Sequence, residues 1–536
     1  MAKEKEIVQT NPTEIEALIE RFKQSAHNLK KEDAELIEKL LRTLASLVRL
    51  LERKNLSIKR LRSMLFGPRT EKGKEADGNN QGEEKAGDPE TTPPAAQKQE
   101  RRPGHGRNKA GAYSGAKIVK CQNGELKAGD RCREEGCWGR LYDLNDPVVL
   151  VQFVGQVPIT ATTYEREVLR CALCQRRYPA SLPEGVTEER YTPSADATIA
   201  LMKYGGGQPW YRQARLQESC GIPLPESVQW ERCEAMADAG HPVYLLLKRI
   251  CRDGEVFCSD DTGVKILDWE KAKKELKEKD RKGTQTSVII VETFGGDKIA
   301  LYLSGRKHAG ENLGGLLEER SAGLPVPIQM SDALARNRSG DQETVWAKCL
   351  AHARRKFYEL KEIFPVECKF VLNMIGKVYR FEAETKGMTA QERLEYHRQH
   401  SGPVMEQLRQ WLENQIEEAQ VEPNSALGEA IGYTRRHWDG LTKFLSVPKA
   451  PIDNNAAERG VKRFVLFRKN SLFFKNEHGA AVGNVLMSLI ESCRLNGVNP
   501  WDYLVHLRRN GSEVRKHPEL HLPWNYAKSE AEPRAA

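Results

Sequence analysis

A multidomain α/β protein is predicted by three observations. The chain of 536 residues is far longer than one hydrophobic core requires. A heptad run lies near the N-terminus, and near Glu255 the pattern changes from helical spacing to short apolar strands punctuated by glycine and proline. The expected order is a coiled coil over 1–66, a disordered basic linker over 67–110 and a zinc-ribbon-like unit over 111–186. A helical, helix-turn-helix-like DNA-binding region follows over 187–252. An α/β core then covers 253–363 and 452–505, split by an all-helical insertion over 364–451, with a C-terminal tail over 506–536.

Hydrophobic residues make up 39% and charged residues 30%, an ordinary soluble balance. No apolar run approaches the roughly 20 residues of a membrane span, so a membrane partner is not expected. The opening stretch MAKEKEIVQTNPTE lacks the apolar centre and cleavage site of a secretory signal, which predicts a reducing cytoplasm. The 12 cysteines are then thiols or metal ligands. A net charge of +9 is modest for this length, so the distribution of charge says more about nucleic acid than its total.

Taken in order, Ile37, Leu44, Leu51, Ile58 and Leu65 recur every seventh residue, with Leu40, Leu47 and Leu61 at the paired position and Lys54 interrupting. That seam predicts a coiled coil joining two copies of the chain. Gly67 to Glu100 holds no aliphatic residue larger than alanine and no aromatic one, so it cannot offset its ordering entropy and reads as a linker. From Arg101 to Lys120 there are six lysines or arginines and no acid. Arg101, Arg102 and Arg107 sit there among glycine and proline, in a backbone suited to a minor groove. Cys132-x4-Cys137 and Cys171-x2-Cys174 flank a strand-rich segment. Four thiolates in two such pairs suit one tetrahedral structural Zn2+ site, with Cys121 and His105 as substitutes; ordinary buried cysteines are the plain alternative. Between Thr192 and Ile250 a helix, a turn around Gly221 and a second helix from near Ser227 form a helix-turn-helix pattern, which simple helical packing explains equally well.

The segments EVFCSDD, TSVIIVETF, KIALYLSG and PVPIQMSD read as four strands, the second and third joined by Gly295, Gly296 and Asp297. Three antiparallel strands, a helix and another strand open a ribonuclease-H-like sheet. Asp260 then ends the first strand and Asp332 the fourth, which are neighbours in such a sheet. Pro327 is awkward inside an internal strand, which predicts a fourth strand that is short or begins after it. TVWAKCL supplies a fifth strand leading into the helix AHARRKFYEL. After the insertion, Asp453 is positioned to cap a helix that places Asn454 and Glu458 on one face and Lys462 a turn later. Six basic residues accompany the single acid Glu458 between Asn454 and Lys475, interleaved with four phenylalanines. Arg459, Lys462, Arg463, Arg468 and Lys469 are the phosphate-facing candidates. Phosphodiester chemistry without a nucleotide motif calls for hard cations, Mg2+ or Mn2+, held about 3.5 to 4 Å apart by carboxylates. Asp260, Asp332 and Glu458, from three separate elements, are the candidate catalytic and metal-binding residues.

From the heptads to Leu504 the chain resembles transposases of bacterial insertion-sequence family 66. The resemblance is carried by RSMLFGPRTEK, the cysteine pairs, SDDTGVKIL, CLAHARRKF and DNNAAERGVKRFVLFRKNSLFF. It implies a ribonuclease-H-like DDE transposase that uses divalent metal to cut and join DNA at the inverted repeats of a mobile element. Accessory proteins of the element are implied as partners beside DNA. Its three acids map to Asp260, Asp332 and Glu458. The chain departs from the family in having Asp261 where glutamate is usual, and SDALARNRSG lacks the Gly-Tyr pair expected after the second Asp. Cys349-x-x-His352 resembles a pair found in several transposases with helical insertions; from the residues alone a packed strand end is the preferred reading over a zinc role. Two other functions remain open on the sequence: a zinc-containing dimeric DNA-binding regulator without activity, and a nuclease of the same fold that cuts without joining. Retention of all three acids favours an enzyme.

Overall fold

The computed structural model describes residues 17, 19–21, 37–44, 128–131, 137–141, 156–170, 172, 177–272 and 283–531. Two compact units are present, residues 1–73 with 158–536, and residues 74–157. In the smaller unit Arg131 pairs antiparallel with Arg140. In the larger one β1 (Val168–Arg170) pairs antiparallel with β2 (Arg177–Pro179). Of the proposed zinc ligands Cys137 is described and exposed. Cys132, Cys171 and Cys174 lie outside the described residues, as do His105, Cys121, Arg101, Arg102 and Arg107. Of the heptad run, residues 37–44 are described and helical, with Leu40 and Leu44 exposed. No helix among the described residues is long and apolar enough to cross a membrane.

Helices α1 (Pro193–Ala200), α2 (Trp210–Ser219) and α3 (Glu226–Arg252) follow. The Thr192 hydroxyl caps α1 by accepting from the Ala195 amide at 3.4 Å. Gly221 takes the left-handed turn between α2 and α3 at φ +76°, a conformation glycine adopts without strain. These helices do not stand apart as a separate DNA-binding body. Met236, Val243 and Leu247 of α3 belong to the same buried cluster as the sheet and the C-terminal helices.

The sheet contains β3 (Val256–Gly263), β4 (Gln285–Glu292), β5 (Lys298–Gly305), β6 (Ile328–Ser331) and β7 (Val345–Lys348), in the order β5-β4-β3-β6-β7. β3, β4 and β5 are antiparallel neighbours, whereas β6 and β7 run parallel to β3. Pro327 lies just before β6, which keeps a residue without an amide hydrogen out of the ladder. Between strands lie α4 (Leu267–Ala272) and α5 (Ala309–Leu317). β7 leads into α6 (Leu350–Glu359), then α7 (Pro365–Glu384), α8 (Ala390–Glu417) and α9 (Ala426–Arg436). The last three are helical over the stretch read as an insertion and share with α6 a buried cluster that includes Phe357, Val371, Leu408 and Leu427. At its base the Leu350 amide donates to the Ile452 carbonyl at 3.0 Å.

The chain returns to the sheet with α10 (Asn455–Ser471) and α11 (Glu477–Leu495). The cap position of α10 is Asn454 rather than Asp453; the Asp453 carboxylate accepts from the Asn455 amide at 3.1 Å. Helices α12 (Pro500–Arg509), α13 (Gly511–Lys516) and α14 (Pro523–Ala531) occupy the stretch read as a tail. Leu507, Val514 and Leu522 are buried there, and Arg508 donates at 2.8 Å to the buried Asp196 of α1. They complete the core around α1 and α3.

At the open edge of the sheet, β5 turns its amides toward α11. Lys298 donates to Asn496 at 3.0 Å, Ala300 to Ser492 at 3.0 Å, Tyr302 to Ser488 at 2.9 Å and Ser304 to Asn484 at 3.2 Å. Ser488→Ala leaves the buried Tyr302 amide without its acceptor. The cost expected is about 1–3 kcal/mol, seen as a lower urea midpoint with an unchanged slope.

Candidate active site

β3 brings the first acid to the centre of the sheet. Asp260 pairs with Val288 across the β3–β4 ladder, and β3 continues three residues further, to Gly263, so Asp260 sits inside the strand and not at its end. β3 and β6 are parallel neighbours, and Asp332 follows directly on β6. The Asp332 carboxylate accepts from the Leu334 amide at 3.2 Å and from the Asn337 side chain. Gly310 of α5 supports that turn, because a Cβ there would meet the Arg338 carbonyl oxygen at 2.2 Å and that of Arg336 at 2.6 Å.

The third acid arrives on α10. Asn454 ties the start of this helix to the sheet: its side-chain amide donates to the Ser259 carbonyl at 2.9 Å and its backbone amide to Cys349 Sγ at 3.2 Å. Two turns on, the Gly460 carbonyl accepts from the Tyr302 hydroxyl at 3.1 Å. A Cβ on Gly460 would meet Val288 Cγ1 at 2.8 Å, so the helix lies close upon the strand that pairs with Asp260. Glu458 lies between these anchors.

Burial pushes the Asp260 carboxyl up to about 7, against the Asp261 amide that donates to it, and the charges of Asp332, Asp261 and Glu458 push the same way as burial. Asp332 and Glu458 thus lie near enough for their charges to act on Asp260. Asp261, the adjacent acid, has other work. Its Oδ2 is 3.1 Å from His308 Nδ1 and accepts from the Ala309 amide at 3.1 Å, which places it at the N-terminus of α5, where negative charge is favoured. Successive strand residues point to opposite faces, so one of the pair serves the helix and Asp260 faces the other acids.

Glu458 is turned toward α6. Its Oε1 is 4.0 Å from Cys349 Sγ and 3.8 Å from His352 Nδ1, and its Oε2 is 3.9 Å from Arg355. Among the described residues, Cys349, His352 and Glu458 form the group of three whose ligand atoms lie within 4.8 Å of one another; the three carboxylates do not form so tight a group. Burial pushes the Cys349 thiol up to about 11, and its sulfur already accepts from Asn454, which fits a packed strand end better than a thiolate ligand.

The basic residues of α10 divide. Arg459, Lys462 and Lys469 are exposed. Arg463 pairs with the buried Glu491 of α11, and Arg468 donates to the Thr262 hydroxyl at 2.9 Å and to the Gly263 carbonyl, so both brace the helix. His308 and Arg355 are contributors the sequence reading missed, and Asn454, read there as sharing a face with Glu458, is also the tether to the sheet.

The model of a family described as "Transposase IS66 family" matches residues 188–482, the stretch from just before α1 into α11. The chain is also similar to two uncharacterized proteins of Sinorhizobium fredii (strain NBRC 101917 / NGR234). It is 29% identical to y4jD over 350 residues, covering 62% of this chain and 66% of the relative. It is 27% identical to y4hP over 395 residues, covering 68% of each. The chain thus spans about two thirds of the length of these relatives.

Folded Asp260 keeps its proton to about pH 7, whereas an ordinary aspartate releases it near 3.8. The folded state therefore binds more protons across that window, and stability falls as pH rises through it. Asp260→Asn should raise the melting temperature of the metal-free protein at pH 8 by about 2–4 °C, with the gain fading toward pH 4. An equal shift at both pH values would trace the effect to packing instead of charge.

Proposed function

Since the chain belongs to the IS66 family of transposases, we propose that it cleaves the ends of a mobile DNA element and joins the freed 3′ hydroxyls to target DNA. In this reading Asp260, Asp332 and Glu458 are the carboxylates of a DDE centre. The observation that carries it is the raised Asp260 carboxyl, held up by burial and by the charges of Asp332 and Glu458 from two other elements. Gathering like charges costs free energy that a bound cation offsets. Three antiparallel strands followed by two parallel ones, with the first acid on the central strand, support a ribonuclease-H-like reading of the sheet.

The donor set fits the metal. Carboxylate oxygens are hard ligands that suit Mg2+ or Mn2+, and the buried Asn454 Oδ1, at the start of the helix that carries Glu458, has no hydrogen-bond partner among the described residues. Such cations would neutralise charge at the scissile phosphate and lower the pKa of the attacking water. The chain itself fixes Asp260 in a paired strand, steadies Asp332 through Asn337, and holds Glu458 through the Asn454 tether. The Glu458 carboxylate lies on the side of α6, 3.8 Å from His352 Nδ1 and 3.9 Å from Arg355. Arg459, Lys462 and Lys469 offer an exposed basic face to the DNA backbone. Cys132, Cys137, Cys171 and Cys174 are proposed to share one structural zinc ion, and the exposed Leu40 and Leu44 to pair copies of the chain.

The test is cleavage and strand joining on DNA carrying the element's ends, with magnesium or manganese. Asp260→Asn, Asp332→Asn and Glu458→Gln should each keep DNA binding and lose cutting by roughly a thousandfold, the scale of several kcal/mol of lost charge stabilisation. An active Asp332→Asn would move the second ligand elsewhere. Native protein that binds without cutting would be a regulator, and cutting without joining a nuclease. Freshly purified protein should carry about one equivalent of zinc by elemental analysis, reduced by Cys171→Ser; under about half an equivalent would count against the four-thiolate site.

A further inference from the structure

A cavity of about 670 Å³ lies between α2, the start of α3 and the turn joining α10 to α11. It is of the size that takes small organic ligands. Its wall includes Tyr204, Trp210, Trp230, Phe467 and Phe473. Tyr204 and Phe467 stack with ring centroids 5.6 Å apart. Among the rings lies Lys203, only 5% exposed, its ammonium 4.5 Å from the Trp210 centroid and 5.1 Å from that of Phe467. It donates to the Ser471 hydroxyl at 2.8 Å, and burial lowers its pKa to about 8. Neither the carboxylate centre nor the exposed basic face of α10 uses this site.

The rim is built at a cost. Leu472 ends α10 at φ +64°, ψ −45°, and the Phe473 amide donates to the Ser471 carbonyl at 2.8 Å. That is a γ-turn with positive φ, a strained form, on a leucine that is itself 63% exposed. The turn carries the chain from α10 to the buried Phe474, whose amide donates to the Lys265 carbonyl at 2.8 Å, and it leaves Leu472 and Phe473 at the surface, the latter 44% exposed.

We propose that this pocket takes one unstacked nucleobase of the DNA strand, between aromatic faces and beside Lys203. Aromatic side chains with a cation among them suit a flat π-system attached to phosphate, and a base removed from its stack presents both faces. The pocket lies at the far end of the helix that carries Glu458. From Glu458 to Asn470 that helix rises about 18 Å, roughly five base steps of a duplex strand, so the extruded base stands about that far from the cut phosphate. The inference rests on the transposase reading.

The test uses the full chain and three duplexes of one sequence: fully paired, with a single bulged adenine, and with an abasic site at the bulge. By fluorescence anisotropy the bulged adenine should bind about tenfold tighter than the abasic bulge, within the range of base stacking on aromatics. Phe473→Ala and Trp230→Ala should each erase that preference and leave affinity for the paired duplex unchanged; Phe473→Trp should keep the preference. Equal binding of the two bulges by the native chain, or a preference that survives both alanine variants, overturns the pocket and leaves the transposase reading intact. Failure to bind any of the duplexes overturns both. If Phe473→Ala changes the sedimentation of the DNA-free protein and the base makes no difference, a second copy fills the cavity and the proposal falls.

Discussion

The arrangement rests on how one sheet edge is closed. An edge strand presents a row of unpaired amides, a liability that proteins cover or blunt. Here α11 covers it with Asn484, Ser488, Ser492 and Asn496, one polar side chain every fourth residue, facing alternate amides of β5. Four helical residues advance about 6 Å and two strand residues about 6.7 Å, so the two repeats stay in step over the length of the strand. Fixing α11 in this way fixes what is joined to it. The turn before it pairs with the segment between β3 and α4 through Phe474 and Ile266, and α10 beyond that turn lies on β3 and β4, which brings Glu458 to the side of the sheet that Asp260 faces.

The second constraint is the alternation of strand side chains. Asp260 and Asp261 are chemically alike and adjacent, yet one holds the start of α5 and the other faces Asp332 and Glu458. A shift of register by one residue would exchange their surroundings. The eight residue pairs of the β3–β4 ladder therefore set the electrostatics of the site as well as the fold.

Much of this was legible in the sequence. The β3, β4 and β5 runs are apolar enough to read as strands, Pro327 marks where β6 can begin, and an acid in a basic, phenylalanine-rich helix stands out. What was not legible depends on partners distant in the chain. Asp260 looked terminal because polar Asp261, Thr262 and Gly263 follow it, but those residues still pair with β4. Asn484, Ser488, Ser492 and Asn496 look like a solvated stripe until β5 is placed beside them. The residues after Val505, cut into short helices around Gly511, Pro518 and Pro523, resembled a tail, although their few apolar side chains close the core over α1 and α3. One distinction was within reach: Arg468 falls four residues after Phe464, on the buried side of α10, whereas Arg459, Lys462 and Lys469 share the opposite side.

The hydrogen bond from Leu350 to Ile452 and that from Asn454 to Cys349 Sγ join the two ends of the helical insertion. Because α7, α8 and α9 share with α6 a hydrophobic interior separate from that of the sheet, the inserted helices are stabilised largely there, while the start of α10 is fixed by Asn454 against Ser259 and Cys349. Such an architecture separates innovation from chemistry. A lineage can lengthen, trade or reshape the inserted helices, acquiring new surfaces for target choice or assembly, without moving the residues that hold Glu458.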